Sequence, residues 1–337
     1  MNAPAFPLAR HPIGPAPLRR AGSVRRTSTI DTSWPEGYGN PMLMHGHARD
    51  LLTPADGGAP IVLAEDRFTI LASPLREILS ISVNPVRPNV QQLVGIRGGG
   101  QSRNALATIM AADRVAGSPL YLLLDDFAGA SLVAGWVWSR WIDDWGERNE
   151  KSGARSTAGR NGKMEGVCTG FAPGSTALLP RKFQDQNCAR VPTLVNADDP
   201  DGWHNLGTQT GVGMRRARRI DVWQEGDGLA IDIGFQDSGT SPDGGDRIAI
   251  HEYHARAMAR DGSLASISVD PRILPFVECP GAVANAQLVL GTPLHDMRAR
   301  VLETLPGTLG CTHLNDVLRS MAEVPQLAAR LTIANQT

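Results

Sequence analysis

The sequence has few cysteines and almost no net charge. Its four cysteines in 337 residues include no Cys-x-x-Cys pair, which excludes a dense disulfide framework and the usual zinc-knuckle spacing. Lys and Arg total 33 against 34 Asp and Glu, so the net charge of −1 provides no basic field that would attract a nucleic-acid backbone. We therefore expect a protein of the reducing cytoplasm that does not bind nucleic acid.

Nucleotide-binding motifs and long apolar runs are also missing. No Gly-x-Gly-x-x-Gly follows a predicted strand and there is no P-loop; the three glycines at 98–100 indicate a turn before a helix. Residues 1–24 contain no apolar core of an export signal, and the longest hydrophobic stretch, 128–138, is interrupted by Gly and Ser. We expect no nicotinamide, flavin or ATP, no cofactor of another kind, no export and no membrane partner.

What the chain does contain is an internal repeat. Pro-Ala-Asp-Gly-Gly at 54–58 returns as Ser-Pro-Asp-Gly-Gly at 241–245, and Ser-Ile-Ser-Val-Asn-Pro at 80–85 returns as Ser-Ile-Ser-Val-Asp-Pro at 266–271. The offsets are nearly equal, since 243 − 56 = 187 for the aspartates and 271 − 85 = 186 for the prolines. Arginine pairs at 25–26 and 218–219, each with a following Ile-Asp, extend the correspondence. Two diverged copies of one unit are the simplest explanation.

The same order of elements is predicted in both copies. Short β-branched or apolar segments separated by turn residues come first, and helical spacing follows. This order predicts an α+β fold of two repeated units, each an antiparallel sheet followed by helices packed on one face, arranged as a pseudo-dimer. The predicted divisions are a Pro-rich N-terminal tail (1–23), a first, diverged repeat (24–145), a long connecting loop that could be a lid (146–213), and a second repeat (214–337).

The second repeat resembles a known family. Its motifs are Arg-Ile-Asp-Val at 219–222, Asp237, Ile-His-Glu-Tyr at 250–253, Glu-Cys-Pro at 278–280 and Gly-Cys-Thr-His-Leu at 310–314. Together they resemble the bacterial family of domain of unknown function 2889, here present as a tandem pair. A looser similarity to NifU-like iron–sulfur scaffold proteins implies Cys279, Cys311 and His313 as cluster ligands, although the further ligand that those scaffolds carry has no match here.

Histidines and tyrosines supply the candidate catalytic groups. His45 and His47 share strand parity and point the same way, so they could bind a metal or act as general bases, although such pairs are also common on exposed edges. His251 and His254 have opposite parity, so one of them should face the helices. Tyr253 could polarise a phenolic substrate or simply pack in the core. We predict catalytic roles for His45, His47, His251 and Tyr253.

Other side chains are predicted to bind substrate. Cys311 and His313 follow Gly310 at a predicted helix start, where backbone N–H groups favour a thiolate or an anion; the alternative is a packed, structural Cys311. Four tryptophans between 136 and 145 could form a flat apolar wall or could pack in the core. The predicted substrate-binding residues are Tyr38, Arg49, Trp138, Cys311 and His313, with no metal ligand.

These features favour an enzyme over a binding module, with its pocket between the two copies. We expect a cofactor-independent carbon–carbon lyase that acts on a small aromatic substrate, for example a lignin-derived one, by acid–base chemistry and releases formaldehyde or carbon dioxide. The alternatives are a metal or iron–sulfur binding scaffold-like protein and a non-catalytic small-ligand binding module. The partner is then a small aromatic molecule, and the fused pair could form a homo-oligomer.

Overall fold

A single antiparallel sheet is the framework of the molecule. The computed structural model describes residues 11–141, 164–179, 186–245 and 247–334. Within these residues the sheet has nine strands in the order β4-β3-β2-β1-β6-β7-β8, with β5 and β9 both pairing with β8. The strands are β1 Ser23–Ser33, β2 Met42–Thr53, β3 Ile61–Ala72, β4 Ile78–Asn84, β5 Ala189–Arg190, β6 Gly213–Glu225, β7 Gly228–Thr240, β8 Arg247–Arg260 and β9 Ser263–Ile273.

The helices follow each run of four strands. After β4 come α1 to α4, and after β9 come α5 to α7, with short 3-10 segments at Pro88–Leu93 and Cys279–Val289 among the connections. The α-helices are α1 Gly100–Ile109, α2 Ala111–Ala116, α3 Pro119–Ala134, α4 Trp138–Trp141, α5 Met297–Thr304, α6 Thr312–Arg319 and α7 Val324–Ala334.

The two faces of the sheet are covered differently. The face that we call the helix face, which carries Val24 and Ile220, packs against the helices and holds two hydrophobic clusters, one for each group of four strands. The opposite face, which we call the loop face, is covered by residues 11–22 and 186–212. On this face Ala16 N–H donates to the carbonyl of Leu194, and residues 202–209 provide carbonyl and side-chain partners to β1 and β6.

At the centre of the sheet β1 pairs with β6, and several arginine and aspartate side chains are buried along this seam. On the loop face Arg25 forms a two-point ion pair with Asp221, and Arg215 forms the same pair with Asp31. Helices from both groups of four strands lie over the seam on the helix face, since α3 and α7 both contact β1 and β6. Because buried charges are costly unless paired, each guanidinium here has carboxylate partners.

The structure confirms the coarse prediction of a mixed fold with a large antiparallel sheet and several helices. The strands of both predicted copies are present, because alternating apolar and polar residues mark a half-buried strand well. The predicted arrangement as a pseudo-dimer is not shown; the two groups of four strands join edge to edge through β1 and β6. Helix α3 is followed by short helical segments that end at Trp141, and residues 142–145 of the first predicted repeat, like residues 1–10 of the tail, lie outside the described residues.

One helical stretch, Pro119–Trp141, is long and apolar enough by length and composition to cross a membrane. In the most apolar part of this stretch 83% of the residues are buried inside the protein. A buried core helix of a soluble protein has the same features, and the packing of α3 against β1, β2 and β3 accounts for its composition.

Candidate functional site

Three side chains that can bind a metal ion or transfer a proton meet on the helix face, where the end of β7 and the start of β8 approach the start of α6. Asp237 and His251 lie directly opposite each other on the two strands, and the ladder is bulged immediately beyond them. His313, in the first turn of α6, stacks on His251 with ring centroids 3.4 Å apart and an angle of 17° between the planes. Bulges often redirect side chains beside functional sites, and this one leaves His251 aimed at the helix.

The two imidazoles share one carboxylate oxygen. Nδ1 of His251 lies 3.5 Å and Nε2 of His313 lies 3.6 Å from Oδ2 of Asp237. Both separations exceed a good hydrogen bond, and both nitrogens are buried without a hydrogen-bond partner. Unpaired buried polar atoms are uncommon in folded proteins and are a reason to look for a function. The imidazoles also form the accessible side of the group, with side-chain exposures of 9% and 12% while Asp237 is fully buried.

Arg216 on β6 holds Asp237 in place. Its Nε and Nη2 atoms each donate to one carboxylate oxygen at 2.9 Å, and its Nη1 atom pairs with Asp316 of α6. Burial would raise the pKa of Asp237, but Arg216, with help from His251, holds that pKa well below its usual range. Asp237 is therefore a fixed, ionised carboxylate, and its orientation is set before any ligand arrives.

Both histidines are neutral at pH 7. Burial lowers the pKa of His251, which the contact with Asp237 only partly offsets. Burial and then the neighbouring His251 hold the pKa of His313 well below the usual value. A neutral imidazole offers a lone pair, so this pair can accept protons or bind a metal ion.

A thiol and a phenol lie behind the imidazoles. Sγ of Cys311, the residue that precedes α6, lies 3.9 Å from Nδ1 of His313, and the Tyr253 hydroxyl donates to the same sulfur at 3.4 Å. Burial raises the pKa of Cys311, and it raises the pKa of Tyr253 well above the usual value. Tyr253 is fully buried and its hydroxyl is engaged by Cys311, an arrangement that suits a positioning residue, and its predicted catalytic role stays a prediction.

Two further cysteines lie near Cys311. A Cβ on Gly170 would lie 2.6 Å from Sγ of Cys279 and 3.9 Å from Sγ of Cys168, so these two sulfurs are neighbours. Burial raises the pKa of Cys168 to about 12 and that of Cys279 well above its usual value. Protonated thiols in apolar surroundings are typical of structural cysteines, whereas metal ligands and nucleophiles are thiolates.

An aromatic side chain borders the group at the end of β7. A Cβ on Gly239, two residues beyond Asp237 and on the same face, would touch Val137 at 2.6 Å and the ring of Trp136 at 3.4 Å. Trp136 is half-buried, and its indole N–H donates to Gln186. The ring of Trp136 therefore lies against β7 two residues beyond Asp237.

The predicted histidines of the first repeat lie elsewhere. His45, His47 and Arg49 share one face as predicted, but it is the loop face, where His47 contacts Glu65 and the ring of His204 and Arg49 donates to the carbonyl of Asp201. His251 lies on the helix face. The sheet lies between His251 and the pair His45 and His47, so the structure does not bring the three predicted catalytic histidines together. Gly46, between the two histidines, points to the helix face, where a Cβ would overlap the ring of Phe68.

The other predicted substrate-binding residues form a separate aromatic group. The rings of Tyr38 and Trp34 each contact Trp138 edge-on, with centroids 5.4 and 5.3 Å from it. This group lies where β1 ends and α4 begins. Of the predicted site residues, the structure brings together His251, Tyr253, Cys311 and His313, and it leaves Tyr38 and Trp138 with each other.

Sequence reasoning did not assign a role to Asp237 or to Arg216. The signal was available in strand parity, because Arg216 shares parity with the apolar Ile220 and must therefore face the helices with it. An arginine on the core-facing side needs a buried carboxylate, and Asp237 is its partner on the next strand.

The second half of the chain matches a family model. Residues 214–326 match the family described as Protein of unknown function (DUF2889). The match begins in β6 and ends in α7, so it contains Asp237, His251 and His313, and it confirms for this half the resemblance read from its motifs. One copy is matched, not a tandem pair. No curated protein and no solved structure matches the chain.

Proposed function

We propose that the chain is an enzyme whose proton-transfer centre is the group Asp237, His251 and His313. The narrower proposal is a carbon–carbon lyase acting on a small aromatic compound, in the cytoplasm and without a cofactor. The observation that supports it is a pair of neutral, stacked imidazoles with unpartnered nitrogens beside a fixed carboxylate. Titratable groups arranged in this way are typical of functional sites.

The corresponding position in the other half strengthens the proposal. Asp50 pairs with Ala64 across the strands, as Asp237 pairs with His251, and Asp50 is held by Arg26 through the same two-point contact. The second partner of Asp50 is Arg330, a guanidinium. Asp50 in the first half thus has a second cation as its partner, whereas Asp237 in the second half lies beside two imidazoles whose nitrogens are unpaired. If the role of Asp237 were only structural, a second cation would stabilise it better than the two imidazoles do.

The chemistry requires only what these residues offer. A neutral imidazole removes the hydroxyl proton of the substrate, the carbon–carbon bond breaks, and its electron pair passes into the conjugated ring as formaldehyde leaves; a carboxylate substrate would release carbon dioxide. The ionised Asp237 stabilises the imidazolium that forms. Trp136 offers a surface for the aromatic ring, and Tyr253 and Cys311 fix His313 from behind.

We also propose that the two halves derive from one duplicated unit. The ion pairs Arg25–Asp221 and Arg215–Asp31 are reciprocal, and both members shift by the same 215 − 25 = 221 − 31 = 190 positions. Reciprocal contacts of this kind characterise a twofold interface. They also correct the repeat alignment, because Arg25 and Arg26 correspond to Arg215 and Arg216 and not to the pair at 218–219.

Turnover assays test the proposed function. The purified chain is incubated with aromatic alcohols and acids that carry a hydroxymethyl or carboxyl group, and released formaldehyde or carbon dioxide is measured. We expect His251→Ala and His313→Ala each to lower kcat/KM by at least about 100-fold, the usual effect of losing an acid–base group. The matched control is His45→Ala, an exposed loop-face histidine, which should leave turnover within about 2-fold.

Two outcomes would decide against this function. Near-normal rates in both His251→Ala and His313→Ala would remove the acid–base assignment. Binding of an aromatic compound without turnover across the panel would favour the non-catalytic ligand-binding module. The scaffold-like alternative based on Cys279, Cys311 and His313 stays a prediction; burial, which raises the pKa of both thiols, is the feature that weighs against it.

A further inference from the structure

The imidazole pair and Asp237 also satisfy the requirements of a metal site. One ligand atom from each of Asp237, His251 and His313 lies within 4.8 Å of the other two. A tetrahedral ion with bonds of about 2.0–2.1 Å places neighbouring ligand atoms roughly 3.3 Å apart. The nitrogen-to-oxygen separations of 3.5 and 3.6 Å are close to that spacing. Two buried ring nitrogens that lack any hydrogen-bond partner are then explained as ligands.

The donor set selects the class of ion. Two neutral imidazoles and one carboxylate suit zinc, cobalt(II) or iron(II), whereas calcium and magnesium prefer oxygen ligands alone. Three protein ligands leave at least one position open on the ion. The carboxylate is already oriented by Arg216, which is the supporting contact that metal ligands usually have.

The positive charge of Arg216 does not exclude a cation. Besides Asp237, its guanidinium pairs with Asp316 at 2.9 Å and approaches Asp126 at 3.7 Å. Arg103 and Arg319 also reach Asp316, and Arg218 pairs with Asp126, so positive and negative groups alternate around the site. The outer oxygen of Asp237 faces the imidazoles and not a second guanidinium. At Asp50, the corresponding aspartate of the first half, Arg330 pairs with the equivalent oxygen, Oδ2, so a guanidinium stands where the ion would bind.

One adjustment is needed for binding. A ring nitrogen donates its lone pair in the plane of the ring, and the two planes are now nearly parallel at a centroid distance of 3.4 Å. The rings must therefore turn apart for both lone pairs to meet at one ion. Binding should change the environment of the two imidazoles, which provides a readout independent of catalysis.

We infer that Asp237, His251 and His313 bind one divalent transition-metal ion of the zinc, cobalt(II) or iron(II) class. The inference goes beyond the proposed lyase. An ion held here occupies the nitrogens that the proposed proton transfer uses, so metal and proton compete for the same atoms. Added zinc should then lower the turnover of the metal-free enzyme.

The test uses the full chain without substrate. The protein is stripped with a chelator, titrated with Co²⁺, and followed by the visible absorption of the bound ion, calorimetry and elemental analysis. We expect one ion per chain, and an affinity at least about 10-fold lower in His251→Ala and in His313→Ala, since even supporting residues of metal sites are worth that much. Binding should also weaken as the pH is lowered, because protons compete for the imidazoles.

The control is a second histidine–aspartate pair on the loop face. Nε2 of His254 donates to Oδ2 of Asp232 at 2.8 Å, and His254→Ala should leave Co²⁺ binding unchanged. If His313→Ala fails to fold by circular dichroism, His313→Gln replaces it. No binding by the wild-type chain, or equal binding in His251→Ala, His313→Ala and His254→Ala, would overturn the inference. Metal binding without lyase activity would support this metal site and reject the proposed function. Lyase activity without metal binding would support the proposed function and reject the metal site.

Discussion

Replacing Gly129 of α3 with alanine tests the buried ion-pair network most directly. A Cβ at this position would overlap Nη1 of Arg216 and Oδ2 of Asp316. Those two atoms form an ion pair at 2.9 Å under the helix, where Arg216 is only 2% exposed. The methyl group can be accommodated only if α3 lifts or if the guanidinium leaves Asp316.

Whether Gly129→Ala stabilises or destabilises the protein depends on the sizes of one gain and two costs. In a solvated helix Gly→Ala stabilises by about 1 kcal/mol. Here overpacking costs about 1–3 kcal/mol, and weakening a hydrogen bond to a charged group costs about 1.5–3 kcal/mol. The costs exceed the gain, so we expect Gly129→Ala to lower the free energy of unfolding by about 2–4 kcal/mol.

Urea denaturation followed by tryptophan fluorescence measures this change, with Gly135→Ala as the matched control. Gly135 ends the same helix with right-handed backbone angles, and a methyl group added there would have no neighbour within 4 Å, so its replacement should be neutral or slightly stabilising. Equal stability of Gly129→Ala and wild type would refute the close approach of α3 to Arg216. Turnover should fall together with stability, because a displaced Arg216 no longer holds Asp237.

Two further predictions concern charge and pH, and a third concerns substrate binding. Asp50→Asn should destabilise more than Asp237→Asn in urea denaturation, because it removes the carboxylate shared by two guanidinium groups, the fully buried Arg26, which then keeps Glu323 as its carboxylate partner, and the partly exposed Arg330, a loss of about 3–5 kcal/mol. The opposite order would contradict the difference between the two aspartates. Burial, together with His47 and Arg49, holds the pKa of His204 well below 6.5, so below that pH the unfolded chain binds a proton that the folded chain does not. The free energy of unfolding should therefore fall as the pH drops below about 6.5, by up to about 1.4 kcal/mol per pH unit. His204→Gln should flatten this slope, and an unchanged slope would contradict the prediction. Trp136→Ala should raise KM for aromatic substrates more than it lowers kcat, and steady-state kinetics with an unchanged KM would remove Trp136 from the binding surface.

The strands could be predicted well and the site only in part. Alternation within one strand correctly placed His45 with His47 and separated His251 from His254, because side chains point to opposite faces with a period of two. Whether residues of different strands share a face depends on pairing and on bulges such as the one beyond Asp237, which a sequence does not show. The sequence therefore could not show that His47 and His251 lie on opposite faces.

The burial of the charged residues at the seam was harder to predict from the sequence. In a sequence, Arg26 and Arg216 look like surface residues, because arginine is rarely buried. Their partners come from distant segments, as when Glu323 reaches Arg26 and Asp316 reaches Arg216. Long-range pairs of this kind have no local pattern. Helix α7 was not predicted from the sequence, although the start of the preceding helix, α6, was.

The helices that cross the seam make the two halves mutually dependent for folding. A fragment limited to residues 214–326 would expose the pairing edge of β6, and it would bury Arg218 without Asp126 and leave Arg215 without Asp31. Such a fragment should be insoluble when expressed alone and should be recovered by co-expression with the preceding segment, as in split-protein complementation. Relatives that carry this unit only once would need another chain to supply the missing edge.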